Sequence, residues 1–97
     1  MGLYIGLYKL TEQGIKNIKD APERIEKGIK AAESMGAKVL GFYSTLGEYD
    51  YVGIGDFPND EAVAAYALSL GSTGNVRTTT MKAFSVEQFN KIVGKLP

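Results

Sequence analysis

The chain has 97 residues with 11 basic and 11 acidic side chains, so it lacks the net positive field that normally attracts nucleic acid. It also lacks cysteine and histidine, which excludes disulfides, thiolate nucleophiles, proximal-histidine haem ligation and a Ser-His-Asp triad. We therefore expect no nucleic-acid partner, no metal site and no cofactor. The content of hydrophobic residues, 44%, is that of an ordinary globular protein.

Hydropathy along the chain gives no indication of a membrane segment. No stretch approaches the roughly 18 consecutive apolar residues that span a bilayer. The first residues lack the charged and apolar regions of a signal peptide. We expect a cytoplasmic protein that makes no contact with a membrane.

The first predicted strand covers residues 2–10, GLYIGLYKL. Aliphatic residues at odd positions alternate with tyrosine and glycine at even positions, which is the period of a strand. Both faces are apolar, so we expect both to be covered.

Helix signals follow this strand. A short helical turn is predicted around residues 15–18, and Asp20-Ala21-Pro22 then marks the start of a longer helix. Gly36 is expected to end it. The buried stripe of this helix recurs at helical spacing and comprises Ile25, Ile29, Ala32 and Met35.

Two further strands are predicted at residues 38–45 and 50–57, joined as a hairpin by a glycine-bearing connection. The second of these contains Gly53 and Gly55, which clear one face of side chains. Either another group approaches this face closely, or the sheet bends there.

The last part of the chain predicts a helix, a strand and a short helix. Asn59 or Asp60 caps a helix that ends within residues 71–74, and residues 75–84 form a threonine-rich strand. Ser85-Val86-Glu87-Gln88 has the capping-box spacing of a terminal helix that continues to about Val93.

Together these elements predict an α+β fold with the ferredoxin-like order βαββαβ, followed by a short C-terminal helix, in one domain spanning residues 1–97. The helices cover one face of a four-stranded antiparallel sheet and leave the other face bare. We expect them to cover Leu3, Ile5 and Leu7, which turns Tyr4 and Tyr8 to the open side. A bare apolar sheet face of this size favours self-association into a homodimer or a higher homo-oligomer.

Several separated motifs resemble those of the GYD domain family. They are GEYDY at 47–51, GDFP at 55–58 and GNVRTTT at 74–80, preceded by TEQG at 11–14 and PER at 22–24. The resemblance runs from about Tyr4 to Phe84. It implies a small prokaryotic protein with a ferredoxin-like fold related to the dimeric α+β barrels, and it implies no activity and no catalytic residues.

The hairpin end carries two candidate ligand-binding residues, Tyr49 and Asp50. A phenol and a carboxylate there could bind or activate a small ligand, with the carboxylate as acid or base. The structural alternative, which we favour, is that the tyrosine packs over the turn and the aspartate accepts hydrogen bonds from backbone donors.

The last strand carries three more candidates, Arg77, Thr79 and Lys82. A threonine row could line a polar pocket in which a cationic side chain holds an anion. The favoured alternative is that threonine suits strands and pairs across them.

Four strand tyrosines complete the candidate set together with one loop residue. These tyrosines could line a ligand cavity between two packed sheets. The alternative, which we favour, is that they pack at an interface between subunits. They are Tyr4, Tyr8, Tyr43 and Tyr51. Gln13, in the loop after the first strand, could line a pocket mouth, although a plain strand-to-helix turn is favoured.

These candidates leave three functional hypotheses. The first is an oligomer that binds a small organic molecule between packed sheets. The second is a structural or regulatory unit that only self-assembles. The third is a cofactor-free enzyme of the monooxygenase or isomerase type, in which Asp50, a tyrosine or Lys82 would carry the acid–base chemistry.

Overall fold

Four antiparallel strands form one sheet in the spatial order β2-β3-β1-β4 in the computed structural model, which describes residues 2–97. The strands are β1 (Gly2–Leu10), β2 (Lys38–Ser44), β3 (Tyr51–Phe57) and β4 (Val76–Ala83). The helices are α1 (Glu12–Lys16), α2 (Ala21–Ser34), α3 (Asp60–Ser72) and α4 (Val86–Val93), with a 3-10 turn at Ile18–Asp20 before α2. The predicted fold, including the short C-terminal helix, is confirmed.

The helix boundaries follow the local signals of the sequence. Asn59 caps α3, because its side chain accepts a hydrogen bond from the N–H of Ala62. Ser85 and Gln88 form the capping box that was predicted for α4. After α2 the chain reverses at Gly36, whose φ of +89° is in the left-handed region that favours glycine.

The prediction of which β1 face the helices cover is wrong. Tyr4 is 6% exposed and belongs to the core cluster with Ala32 of α2 and Val63 of α3. Because successive strand residues point to opposite faces, Leu3, Ile5 and Leu7 lie on the open side.

Glycine explains this reversed orientation. Gly6, Gly53 and Gly55 lie on the helix-facing side of the sheet, and aromatic rings occupy the space that their missing side chains leave. A Cβ atom on Gly6 would lie 2.6 Å from the hydroxyl of Tyr8, and one on Gly55 would lie 2.9 Å from the ring of Phe57. The close approach that the strand glycines suggested is therefore made by the chain's own aromatic side chains.

The core is small and lies towards one end of the helix–sheet layer. Its members come from the start of β1, the end of β3 and the adjoining parts of α2 and α3, and they are Tyr4, Ala32, Ala37, Phe57 and Val63. The ring of Tyr4 packs edge-on against that of Phe57 at 5.9 Å. With two alanines among five members, this cluster buries little apolar surface per residue.

We predict that Gly14→Ala lowers the free energy of unfolding by about 2 kcal/mol, in the range of overpacking substitutions. Gly14 is buried in α1, and a Cβ atom there would overlap the backbone oxygen of Asn75. Chemical denaturation at a fixed protein concentration measures the change.

Gly71→Ala is the matched control. Gly71 lies in α3 with no atom within 4 Å of an added Cβ, so alanine there should stabilise the protein by up to about 1 kcal/mol through helix propensity. Equal stability of the two variants would contradict the packing argument.

Candidate functional site

The ten candidate residues do not converge on one site. Three lie in connections or short helices, three on the open sheet face and four on the helix-facing side. The connection group is Gln13, Tyr49 and Asp50; the open-face group is Tyr43, Arg77 and Thr79; the helix-facing group is Tyr4, Tyr8, Tyr51 and Lys82.

Asp50 joins the hairpin end to β1. One carboxylate oxygen, Oδ2, accepts a hydrogen bond from the N–H of Leu10 at 2.8 Å, and the N–H of Asp50 donates to the carbonyl of Tyr8 at 2.8 Å. The neighbouring Tyr49 ring lies 5.6 Å from the ammonium of Lys9. The Asp50 carboxylate therefore accepts a hydrogen bond from a backbone donor, as in the structural alternative for that residue.

Gln13 joins α1 to the segment before β4. Its side-chain amide donates to the carbonyl of Thr73 at 3.2 Å and to the side-chain oxygen of Asn75 at 3.0 Å. Thr11 adds a hydrogen bond from its hydroxyl to the carbonyl of Gly74 at 2.6 Å. The TEQG segment therefore joins the connection after β1 to the connection between α3 and β4.

Tyr4 lies between a cation and a carboxylate at the core end of the sheet. Its hydroxyl donates to Asp60, and the Lys82 ammonium lies 4.5 Å from the ring centroid and 3.4 Å from the hydroxyl. The hydrogen bond to Asp60, followed by burial, raises the pKa of Tyr4 above its ordinary value. Because Asp60 is the first residue of α3, these contacts anchor α3 to the sheet, and Tyr4 itself is 6% exposed.

The open sheet face is largely aliphatic. Cross-strand register places Ile5 between Ile54 and Met81, and Leu7 between Val52 and Thr79. Neither α2 nor α3 covers this face, because both pack against the opposite one. The described chain thus presents an apolar surface with no covering element of its own.

A second uncovered apolar surface is the outer side of α4 and the residues after it. Val86, Phe89 and Val93 are spaced three and four residues apart and share one helix face. They are 77%, 57% and 45% exposed, and Leu96 beyond the helix is 68% exposed. This apolar row has no packing partner of comparable size in the described chain.

A cleft of about 280 Å³ lies between α2, α3 and the helix-facing side of the sheet. It lies towards the end opposite the core, where the two helices leave space between them. Aromatic and aliphatic side chains form most of its wall, and these are Tyr8, Phe42, Tyr51, Tyr66, Ile25, Ile29 and Leu70.

The glycines on this side of the sheet create the cleft floor. The ring of Tyr8 lies over the backbone of Gly6 and Gly53, so that a Cβ atom on Gly53 would be 3.3 Å from the ring. Phe42 continues this layer, with its ring centroid 5.9 Å from that of Tyr8 and 5.5 Å from that of Tyr51. Rings lying low against the sheet leave open the space beneath the helices.

Burial changes the acidity of two tyrosines at the cleft. It raises the pKa of Tyr8, and it raises that of Tyr66 well above the ordinary value of 10.0. The hydroxyl of Tyr66 also donates to the backbone carbonyl of Gly28 at 3.0 Å, which ties α3 to α2. Both phenols therefore stay protonated at neutral pH and can act as hydrogen-bond donors.

The sequence reasoning did not find this cleft. It placed the tyrosines between two sheets and overlooked Phe42 and Tyr66. One signal was present, since Gly6, Gly53 and Gly55 each stand two residues from a tyrosine or phenylalanine on the same strand face.

Residues 2–97 contain no group of three or more potential metal-ligating side chains. No helix within that range is long and apolar enough to cross a membrane.

We predict that the free energy of unfolding decreases above about pH 10, where the unfolded chain loses tyrosine protons that the folded chain retains. The raised pKa of Tyr66 means that its contribution is complete below pH 10.0 and is lost as the pH rises further. In Tyr66→Phe, the loss between about pH 8 and about pH 11 should be smaller by roughly 1 kcal/mol, allowing for solvent screening.

Urea denaturation of both proteins at the two pH values provides the measurement. The lost hydrogen bond to Gly28 shifts the variant at both pH values and therefore cancels in the comparison. An identical pH dependence of the two proteins would contradict the assignment.

The model of the GYD domain family matches residues 4–93. A relative from Thermus thermophilus, named glutamine synthetase and cystathionine beta-lyase binding protein, is 34% identical over 87 residues, which are 89% of this chain and 92% of the relative.

Solved structures support the same architecture. A crystal structure of a protein from Thermus thermophilus superposes with a TM-score of 0.57 at 22% identity, covering 89% of this chain and 96% of that one. The leucine response regulatory protein of Mycobacterium tuberculosis gives a TM-score of 0.57 at 18% identity and covers 88% of this chain, but only 51% of the regulator. These likenesses show the ferredoxin-like fold, and the match over residues 4–93 shows that the chain belongs to the GYD domain family.

Proposed function

We propose that this chain is a self-associating module that binds other proteins. The observation that carries the proposal is the aliphatic sheet face, centred on Ile5, Ile54 and Met81, which the chain's own helices leave uncovered. Burial of such a face against a second copy removes apolar area from water, which is the main driving force of association. The cytoplasmic location expected from the sequence remains part of this proposal.

The size of the face fits a second copy. Four strands at a spacing of ~4.8 Å, with about seven residues each at ~3.4 Å, give a footprint of roughly 450 Å². A stable interface buries about 800 Å² on each partner, so the sheet alone supplies about half of that area. Another apolar element is needed to complete the interface.

Helix α4 is well suited to be that element. It has eight residues, too few to be stable as an isolated helix in water, and it presents the apolar row of Val86, Phe89 and Val93. It follows β4, which is an edge strand of the sheet, after only two residues. We propose that α4 of each copy packs against the other copy at the margin of the paired sheets.

Charge on the open face favours an antiparallel arrangement of the two copies. Asp56 lies between Leu3 and Lys38 at one end of the face, while Lys9 and Arg77 lie side by side at the other end. One carboxylate oxygen of Asp56 is buried without a hydrogen-bond partner among residues 2–97. A two-fold axis perpendicular to the strands brings the end with Asp56 in one copy to the Lys9–Arg77 end of the other, which keeps the two basic ends apart.

Most of the tyrosines that were expected to line a ligand cavity between paired sheets do not face that space. Tyr4, Tyr8 and Tyr51 lie on the helix-facing side, and Tyr43 is the one strand tyrosine among the four candidates on the open face. The aliphatic residues that take their place suit close packing better than a polar cavity. The self-assembly hypothesis therefore has more support than the inter-sheet ligand.

The 34% identical relative is named for binding to glutamine synthetase and cystathionine beta-lyase. Its name supports the second part of the proposal, which is that this chain binds other proteins. We propose that the assembled form of this chain binds enzymes of these two kinds. The outward sides of α2 and α3 stay accessible when the open faces pair, and they carry the exposed side chain of Leu68.

We predict that Met81→Lys dissociates the oligomer, because it places a charge in the middle of the paired faces. Met81 is 42% exposed, so the folded monomer can accommodate the lysine. Light scattering after size-exclusion chromatography gives the mass, and circular dichroism checks folding.

Leu68→Lys is the matched control. Leu68 is 75% exposed on α3, away from the open face, so lysine there should leave the mass unchanged. A wild-type monomer at micromolar concentration would contradict the proposal.

We also predict that the immobilised wild-type protein retains purified glutamine synthetase and cystathionine beta-lyase from the organism that encodes this chain. Met81→Lys should retain less of both enzymes if the oligomer is the binding form. Failure of the wild-type oligomer to retain either enzyme would contradict the protein-binding part and leave self-association standing.

A further inference from the structure

We propose that the cleft between α2, α3 and the sheet binds a small uncharged aromatic molecule. The cleft lies on the face of the sheet opposite the proposed self-association surface. The inference therefore does not depend on the proposed function, and each can fail without the other.

The volume of the cleft selects the size of the occupant. At about 280 Å³ it is close to the lower end of ligand pockets, which begin near 300 Å³. It exceeds the ~150 Å³ apolar cavity that is known to hold benzene in another protein.

The walls of the cleft select the chemistry of the occupant. Tyr8, Phe42 and Tyr51 form a layer of neighbouring tilted rings on the sheet side, and Ile25 and Leu70 contribute aliphatic surface on the helix side. Flat rings pack well against such a layer through offset and edge contacts. An aromatic molecule therefore matches the floor of the cleft better than a branched aliphatic one.

The polar groups at the cleft argue against a charged occupant. Two cationic residues line the cleft, Arg24 and Lys27, and Lys27 already pairs with Glu23 at 3.3 Å, so an ion inside the cleft would lose water without gaining a free partner. The guanidinium of Arg24 already donates to the backbone carbonyl of Asn17 at 2.8 Å. The protonated hydroxyl of Tyr8 can donate to one acceptor on a neutral ligand.

Gly28 borders the cleft at a position where the surrounding packing does not require glycine. It lies in the middle of α2, where glycine is unfavourable, and an added Cβ would meet the Tyr66 hydroxyl at 3.6 Å and the Leu70 side chain at 3.7 Å. These are ordinary contact distances, so a larger residue would fit and would begin to fill the cleft. The chain keeps open a space that one substitution could close.

Indole is a suitable probe because the chain contains no tryptophan. Indole emission can therefore be followed without protein background when excitation avoids tyrosine. Titration of wild-type protein into indole should give a blue shift and increased anisotropy that saturate at one indole per chain. A ligand of this size should have a dissociation constant on the order of 0.1 mM.

Two glycine-to-leucine substitutions in helices form a matched pair. Gly28→Leu should fill the cleft and weaken indole binding at least tenfold, whereas Gly71→Leu, where nothing lies within 4 Å, should bind indole like the wild type. Ala31→Leu, at another lining position, replaces Gly28→Leu if that variant does not fold. Circular dichroism and thermal unfolding verify that each variant is folded.

Three results would overturn the proposal. The first is the absence of saturable indole binding to the wild type. The second is equal binding by the cleft-filling variant and Gly71→Leu. The third is displacement of indole by a synthetic peptide of residues 85–97, which would identify the occupant as the apolar helix instead of a small molecule.

Discussion

The contact between aromatic rings and glycine on one face of the sheet organises the rest of this structure. Tyr8 lies over Gly6 and Gly53, and Phe57 lies over Gly55. Because these rings occupy the helix-facing side, the aliphatic residues of the same strands must face the other way. The buried aromatic layer and the bare aliphatic face thus have a single cause, which is the alternation of tyrosine and glycine along β1 and β3.

The two ends of the helix–sheet layer differ in how closely they are packed. At one end Tyr4 is held by Phe57, Asp60 and Lys82, and α2 and α3 meet over a small core. At the other end the helices leave a cleft that is crossed by the hydrogen bond from Tyr66 to Gly28. A domain of this size therefore has one anchored end and one end with spare volume. The anchored end holds the helices to the sheet, and the spare volume is the site proposed above for an aromatic ligand.

Motif residues in this chain serve the fold in ways that their chemistry alone does not suggest. Asp50, at the centre of GEYDY, accepts the N–H of Leu10, and Gln13 joins two connections. Gly14 allows the backbone of Asn75 to approach α1. These polar and glycine positions hold loops against the sheet, so their presence in motifs does not require a catalytic role. All of these positions lie within residues 4–93, the range that the GYD domain family covers.

The sequence by itself determined the order of the elements, most of their boundaries and the family. Caps at Asn59 and Ser85, the turn at Gly36 and the period of β1 are local features, because each depends on residues within a few positions along the chain. Only the tertiary structure decided which face of β1 the helices cover and where the cleft lies. Both faces of that strand are apolar, so hydrophobicity could not distinguish them. The Tyr8 ring lies over Gly6 of its own strand and over Gly53 of β3, and the strand pairing that brings Gly53 beneath the ring joins residues distant in sequence.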